Sequence, residues 1–194
     1  MHALTAQARR LNREAGAPAI PALFFFTDRE RTPDPCAAAR RLPRGAAIVY
    51  RHFGAADRAR VARRLRAIAR SHGLVLLIAA DPGLAQRVGA DGVHWPQRLV
   101  PAQRGPGLVT AAAHDAAGIA RAAALGADAC ILAPVLPTRS GSGREPLGLF
   151  HASQMARNAG VPVIALGGVN AATARRLSGR GFAGLAAVEA LATA

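Results

Sequence analysis

Histidine and arginine side chains stand at or just after the ends of short apolar segments. They are His94, His114 and the neighbouring pair Arg51 and His52. An imidazole exchanges a proton near neutral pH, whereas a guanidinium stays charged and binds oxyanions through paired donors. We therefore expect His114 and Arg51 to act in catalysis, with His94 contacting a ligand. Single histidines are also common as structural residues, and this alternative stays open.

A glycine pair predicts a phosphate-binding loop. Gly167 and Gly168 follow the apolar segment Val163–Leu166 and precede a segment of helical composition. Glycines leave backbone N–H groups uncovered, and the start of a helix favours negative charge. We expect these amides to bind a phosphate; a tight turn between two elements is the alternative.

A longer loop over residues 137–144 is rich in hydroxyl groups, glycines and arginines. Its Thr138, Arg139 and Ser140 side chains are all suited to the oxygens of a phosphorylated ligand. Long loops beside a ligand site often carry function. We therefore predict a lid over the ligand, with an ordinary solvated loop as the alternative.

All 25 basic residues are arginine, and they face 11 acidic residues for a net charge of +14. Because lysine is absent, catalysis through a lysine Schiff base is excluded. A charge this high also occurs in proteins that bind nucleic acid. However, the arginines of segments such as Arg58–Arg70 and Arg175–Arg176 recur at helical spacing among alanines, which is typical of solvated helix faces. We expect no nucleic-acid partner.

Eight short segments rich in Val, Ile and Leu alternate with alanine- and arginine-rich segments of helical period. Parallel strands covered by helices have this pattern. The predicted strands are Ala22–Thr27, Ala46–Arg51, Val75–Ala79, Gly92–Trp95, Val109–Ala112, Ala129–Ala133, Val163–Leu166 and Gly184–Val188. They predict an α/β fold, a compact (β/α)₈ TIM-type barrel with its ligand site at the carboxyl ends of the strands.

Helical segments are predicted between most of the strands. They are Pro35–Leu42, Ala55–Ser71, Gly83–Val88, Ala116–Leu125, Leu149–Asn158 and Ala171–Gly179. Proline and glycine interrupt Arg98–Gly107, so little helix is expected there. An extra helix at Leu4–Ala15 precedes the first strand and either caps the barrel base or packs in a homodimer. Few residues follow the eighth strand, so the closing helix is expected to be truncated or missing.

One domain over residues 1–194 accounts for the length, since 51% hydrophobic residues suffice for one core. No apolar run reaches the roughly 18 residues that cross a bilayer, so no membrane association is expected. Cys36 and Cys130 belong to neither a CxxC pair nor a cluster with metal-ligand spacing. They favour a reducing, cytoplasmic setting.

Three motifs in this order resemble the thiamine phosphate synthase family, which includes the TenI-like thiazole tautomerases. They are Gly89–His94 followed by Gln97, then Ala133–Thr138, then Val163–Val169. The resemblance extends over about Leu23–Ala190 and implies a barrel. It also implies an enzyme in which a hydroxymethylpyrimidine diphosphate ionises and a thiazole phosphate nitrogen attacks the cation, or one that tautomerises a thiazole phosphate.

The resemblance further implies site residues and ligands. Arg51, Gln97, Thr138 and His114 match recurrent positions of the family, and Gly167–Gly168 matches its phosphate loop. The implied ligand is a small phosphorylated heterocycle, and the implied cofactor is Mg²⁺.

The carboxylates that hold this metal in the family have no counterparts in the sequence. The family's Asn-Asp pair aligns with Ala79 and Ala80, and its later metal aspartate aligns with Leu99. Asp28 is the best candidate ligand, Asp81 lies one residue out of register with the family's aspartate and is a partial substitute for it, and Glu189 replaces a serine near the thiazole phosphate. Without the carboxylates, a departing diphosphate loses metal-ion charge compensation. We therefore assign no metal ligands, and Mg²⁺ is left as the resemblance implies it.

Two functions remain open on this basis. The first is an enzyme of thiamine biosynthesis that acts on a phosphorylated thiazole or pyrimidine. The second is a non-catalytic phosphate-binding or regulatory homologue. Dependence on Mg²⁺ and the formation of product distinguish the two.

Overall fold

The computed structural model describes residues 1–138 and 144–192 and contains a closed barrel of eight parallel strands. The strands are β1 Leu23–Phe26, β2 Ala47–Tyr50, β3 Val75–Ala79, β4 Gly92–Trp95, β5 Leu108–Ala113, β6 Ala129–Leu132, β7 Val163–Ala165 and β8 Phe182–Ala187. Each strand pairs with the next, and β8 pairs with β1. The predicted (β/α)₈ TIM-type barrel is confirmed, and each strand lies where the sequence places it.

The connections between the strands contain the helices that cover the barrel. The α-helices are α1 His2–Glu14, α2 Pro35–Arg40, α3 Arg58–His72, α4 Pro82–Val88, α5 Ala116–Ala124, α6 Leu149–Arg157 and α7 Glu189–Ala192. Short 3-10 helices at Gln97–Leu99 and Ala174–Leu177 lie in the β4–β5 and β7–β8 connections. Within the described ranges, every helix is too short or too polar to cross a bilayer.

Local side chains explain where several helices begin and end. Asp34, Asp81 and Asp115 accept hydrogen bonds from backbone N–H groups in the first turns of α2, α4 and α5. Gly89 follows α4 with a φ of 66°, a conformation that ends a helix without strain. Asp34, Asp81 and Asp115 are therefore the N-cap residues of these helices.

The connection after β7 does not contain the predicted helix Ala171–Gly179. Asn170 Oδ1 accepts hydrogen bonds from two backbone N–H groups of the following turn. The Thr173 hydroxyl donates to the Gly168 carbonyl at 2.7 Å. These side-chain bonds compete with the helical pattern and hold the chain in a turn, so only a 3-10 helix forms before β8.

Side chains from alternate strand positions fill the barrel interior. They are Phe24, Phe26, Ala47, Val49, Leu77, Ala79, Ala129, Ile131, Ile164, Ala183 and Ala186, all buried. A larger apolar layer lies between the strands and the helices. Because the interior is packed, the space left for a ligand lies above it, at the rim formed by the carboxyl ends of the strands.

Helix α1 covers β8. Leu4, Ala8 and Leu11 are buried on its inner face. Asn12 Nδ2 donates to the Ala183 carbonyl at 3.2 Å, at the beginning of β8. The N-terminal helix therefore supplies apolar cover for β8, which is followed within the described residues by the single turn α7.

Ala80 carries backbone strain directly after β3. Its φ is 54°, a left-handed conformation that costs an L-residue about 1–2 kcal/mol. Its N–H donates to the His94 carbonyl at 2.9 Å, which holds the backbone in place. We expect Ala80→Gly to raise the free energy of unfolding by about 1 kcal/mol, because glycine adopts this conformation without strain. Chemical denaturation with an unchanged m-value measures the effect.

The same substitution in a helix provides the control. Ala120 is exposed within α5, where Ala120→Gly should lower the free energy of unfolding by about 1 kcal/mol. A loss of stability in both variants would contradict the strain assigned to Ala80.

Candidate functional site

A cavity of about 980 Å³ opens at the rim where the carboxyl ends of the strands meet. Its lining includes the predicted residues Arg51, His94, Gln97, His114, Thr138, Gly167 and Gly168. Arg139 and Ser140 lie outside the described residues. The fold therefore brings residues from distant segments into one concave space, and their binding and catalytic roles stay predictions.

Arg51, just after β2, is fixed at the cavity wall. Its Nε donates to the Thr27 carbonyl at 2.8 Å, and its guanidinium lies 5.3 Å from the centre of the Phe26 ring. Its Nη2 is buried, lies 3.6 Å from Asp28 Oδ2 and has no hydrogen-bond acceptor in residues 1–138 and 144–192. Burial lowers the pKa of Arg51, yet a guanidinium keeps its charge in proteins. The side chain as a whole is 29% exposed and lines the cavity, so its exposed part is open to an anionic ligand.

A second guanidinium at the cavity, Arg31, was missed in the sequence. Its Nη2 donates to Asp28 Oδ2 at 2.8 Å, and its Nη1 lies 3.8 Å from Glu189 Oε1. The hydrogen bond from Arg31 holds the pKa of Asp28 well below its usual range. The sequence did contain an indication of this pair, because Asp28 and Arg31 lie three residues apart directly after β1. Asp28 is thus a partner of arginines, and Glu189 also faces a cation.

His114 has one ring nitrogen fixed by the protein. Its Nδ1 lies 2.6 Å from the Ala133 carbonyl oxygen, which can only accept, so Nδ1 carries a proton. In the neutral imidazole, Nε2 is then the acceptor, and the side chain lines the cavity. This arrangement suits a group that takes a proton from a bound ligand.

Gln97 organises the rim around His114. Its Oε1 accepts from the backbone N–H of His114 at 2.6 Å, and its Nε2 lies 3.3 Å from Asp115 Oδ2. A side-chain carbon at Gly118 would lie 2.8 Å from Gln97 Oε1, so the glycine leaves room for the amide. Gln97 therefore positions His114, while its contact with a ligand stays a prediction.

His94 is buried and neutral beneath the cavity. Its Nδ1 lies 2.9 Å from the Thr110 hydroxyl, and its ring meets the Phe26 ring edge-on at 5.1 Å. Burial, followed by the charge of Arg51, lowers the pKa of His94 to about 3. At neutral pH this imidazole therefore serves as packing and as an uncharged hydrogen-bonding group.

The glycine loop is pressed against the connection after β6. Gly167 and Gly168 have φ angles of 95° and 66°. A side-chain carbon at Gly167 would lie 2.7 Å from Pro134 Cα, and one at Gly168 would lie 2.4 Å from the Pro137 carbonyl oxygen. Within the described residues, the N–H groups of Gly167, Gly168 and Val169 donate to no protein acceptor. Uncovered amides at the cavity wall favour an anion.

Arginines give the cavity a positive charge. Among the described residues, Arg31, Arg51, Arg144 and Arg176 line it, and Glu189 is the one carboxylate in the lining. Charges of one sign around a concave site concentrate counter-ions there. The cavity is therefore suited to ligands with phosphate or diphosphate groups.

Two arginines predicted to lie on solvated helix faces are partly buried. Arg58 Nη2 donates to the Ala79 carbonyl at 2.7 Å, and Arg66 pairs with Asp91 at 2.9 Å. For these two the prediction was wrong, whereas Arg176 is exposed and also lines the cavity. Helical spacing alone does not distinguish a solvated arginine from one whose long side chain reaches a neighbouring strand end.

The residues present do not fit the Mg²⁺ that the resemblance implies. Ala79 is buried in the barrel interior, and Ala80 and Leu99 likewise offer no ligand atoms. Asp28 is occupied by Arg31. In the part of the chain that the structure describes, no three His, Cys, Asp or Glu side chains are grouped to hold a metal ion.

Known proteins share both the sequence pattern and the fold. A family model described as thiamine monophosphate synthase matches residues 23–191. The thiamine-phosphate synthase of Geobacillus kaustophilus is 30% identical over 72% of this chain and 66% of that protein, just under two thirds of its length. That of Bacillus velezensis is 26% identical over 95% of this chain and 89% of that protein. Thiamine phosphate pyrophosphorylase from Pyrococcus furiosus has the same fold, with a TM-score of 0.74 at 24% identity over 89% of this chain and 87% of that chain.

The buried His94 links stability to pH. An unfolded chain protonates this imidazole near its ordinary pKa of about 6.5, whereas the folded protein binds the proton only near pH 3. Its contribution is therefore complete above about pH 6.5 and is lost as the pH falls, by about 1.4 kcal/mol per unit. We expect His94→Gln to flatten the pH dependence of the free energy of unfolding between about pH 7 and 4.

Denaturant unfolding at a series of pH values measures this slope. His151→Gln, at an exposed position of α6, controls for the loss of an imidazole and should keep the parent slope. If His94→Gln also keeps the parent slope, His94 is not a neutral buried group.

Proposed function

Because the chain belongs to the thiamine monophosphate synthase family, we propose that it joins two phosphorylated heterocycles at the barrel rim. The substrates are a hydroxymethylpyrimidine diphosphate and a thiazole phosphate. The observation that carries the proposal is that two sets of anion-binding groups, on different connections, line one cavity of about 980 Å³. A space of this size accommodates both rings.

The first set lies in the β7–β8 connection and binds the phosphate of the thiazole. It consists of the uncovered amides of Gly167, Gly168 and Val169, with Arg176 on the same connection. Packing against the proline-rich connection fixes these amides before the ligand arrives. Preorganised donors bind an anion without a further cost of reorganisation.

The second set follows β1 and β2 and binds the diphosphate of the pyrimidine. Arg51 lines the cavity with a side chain that is 29% exposed, and Arg31 lies beside it at Asp28. In the reaction, the C–O bond to the diphosphate breaks and the diphosphate leaves with the electron pair. The thiazole nitrogen then donates its lone pair to form the new C–N bond. Fixed guanidiniums favour this step because they stabilise the charge that develops on the leaving group.

A second candidate function is tautomerisation of a thiazole phosphate. The observation in its favour is the tautomer of His114, whose Nε2 is free to accept a proton because Nδ1 donates to Ala133. Removal of a general base typically costs about 10²–10⁴-fold in rate. We therefore expect His114→Gln to abolish most tautomerisation but to spare the coupling reaction, which needs no base at this position. Parallel assays of both reactions distinguish the two functions.

Arg51 provides the direct test of the coupling. We expect Arg51→Gln to lower thiamine phosphate formation by about 10²-fold or more, because the departing diphosphate loses a fixed donor. Mass spectrometry of the product from the two phosphorylated substrates measures the loss, and thermal melting verifies that the variant is folded.

Arg13→Gln is the matched control, since Arg13 is exposed on α1 and carries the same charge away from the cavity. Its rate should equal that of the parent chain. If the parent chain binds thiazole phosphate but forms no product, the coupling is contradicted, and the protein is a binding or regulatory homologue.

A further inference from the structure

Arg31 is a cation held by carboxylates in a chain whose sequence lacks the metal ligands of its family. We propose that Arg31 and its neighbour Arg51 supply the positive charge that a divalent cation would supply, so that this chain binds a diphosphate group without metal. The inference rests on the proposed function, which puts a diphosphate beside the β1 and β2 connections.

The protein fixes Arg31 in its position. Asp28 Oδ2 accepts from Arg31 Nη2 at 2.8 Å, and Asp28 Oδ1 accepts from the backbone N–H groups of Glu30 and Arg31 at 3.2 and 3.1 Å. Both carboxylate oxygens are thus engaged, so Asp28 is itself an anchored group. On the other side, Glu189 Oε1 lies 3.8 Å from Arg31 Nη1, within ion-pair distance.

Arg31 keeps donors for a ligand. A guanidinium has five N–H donors, and the described residues engage only Nη2 in a hydrogen bond from this side chain. The side chain lines the cavity and is 26% exposed, so it is open to a ligand and yet partly shielded from water. Guanidinium donors match phosphate oxygens in pairs.

Arg31 and Arg51 form a neighbouring pair. The Nη2 atoms of both approach the same oxygen, Asp28 Oδ2, at 2.8 and 3.6 Å. Two positive charges this close repel each other unless anions compensate them. Asp28 and Glu189 bring two carboxylates to this pair, and the donors that they leave open on the exposed parts of both guanidiniums remain for a diphosphate.

The same contacts give Glu189 a positioning role. A carboxylate in the cavity lining would repel a phosphorylated ligand, but this one faces Arg31. Carboxylates on one side of a cation and a diphosphate on the other give the same alternation of charge that a bound metal ion gives. Arg31 thus holds the place of the cation in this alternation.

Calorimetric titration of the full chain with inorganic pyrophosphate tests the proposal. We expect binding in a metal chelator, and we expect that Mg²⁺ at equal ionic strength does not strengthen it. Arg31→Gln should weaken binding in chelator by roughly 10- to 100-fold, as expected for charge-assisted hydrogen bonds. Arg29→Gln is the matched control: it removes the same charge from the same connection at an exposed position, and it should bind as the parent does.

Binding that requires Mg²⁺, or no binding in either buffer, would overturn the inference. Equal losses in Arg31→Gln and Arg29→Gln would also overturn it, since they would indicate diffuse attraction by a basic surface. The comparison of buffers uses the parent chain and is independent of how any variant folds.

A different result would contradict the proposed coupling. Product formation by a chain whose pyrophosphate binding needs Mg²⁺ would overturn the role of Arg31 alone. Metal-free pyrophosphate binding without product would leave the role of Arg31 intact and contradict the coupling.

Discussion

Pairing of β8 with β1 closes the sheet, and the arrangement of the rim depends on this closure. It satisfies backbone groups that two open edges would leave unpaired. Closure also brings the backbone of Gly184 close to that of Ala22. A side-chain carbon at position 184 would lie only 2.4 Å from the Ala22 carbonyl oxygen. Because the first and last connections then meet, Arg31 after β1 reaches Glu189 after β8. The position of Arg31 in the cavity lining therefore depends on barrel closure.

The use of arginine throughout the chain has a physical consequence at this rim. Arg51 lies partly buried against Phe26 and Thr27, where burial lowers its pKa. A lysine ammonium in such a place loses its charge readily, whereas a guanidinium starts from a pKa high enough to stay protonated. Arginine also offers several donors in a fixed plane, so one side chain can bind the protein and a ligand together. These properties allow a cationic site that does not depend on a bound ion.

The sequence predicted the barrel because the strands are short apolar runs that alternate with segments of helical period. Val75–Ala79 and Gly92–Trp95 agree with the structure to the residue. The turn after β7 could not be predicted, because hydrogen bonds of Asn170 and Thr173 override a helical composition. The spacing of Asp28 and Arg31 was a local indication of their pair, but the contact of Arg31 with Glu189, far away in the chain, leaves no local pattern.

The most direct measurement is the rate of thiamine phosphate formation from the two phosphorylated substrates, followed over a range of free Mg²⁺ that includes a metal chelator. We expect product at a rate that does not depend on the metal, because the cations that stabilise the departing diphosphate are side chains of the fold. A rate that rises from zero with Mg²⁺ would contradict a guanidinium in the place of the metal, and the absence of product at every concentration would contradict the coupling itself.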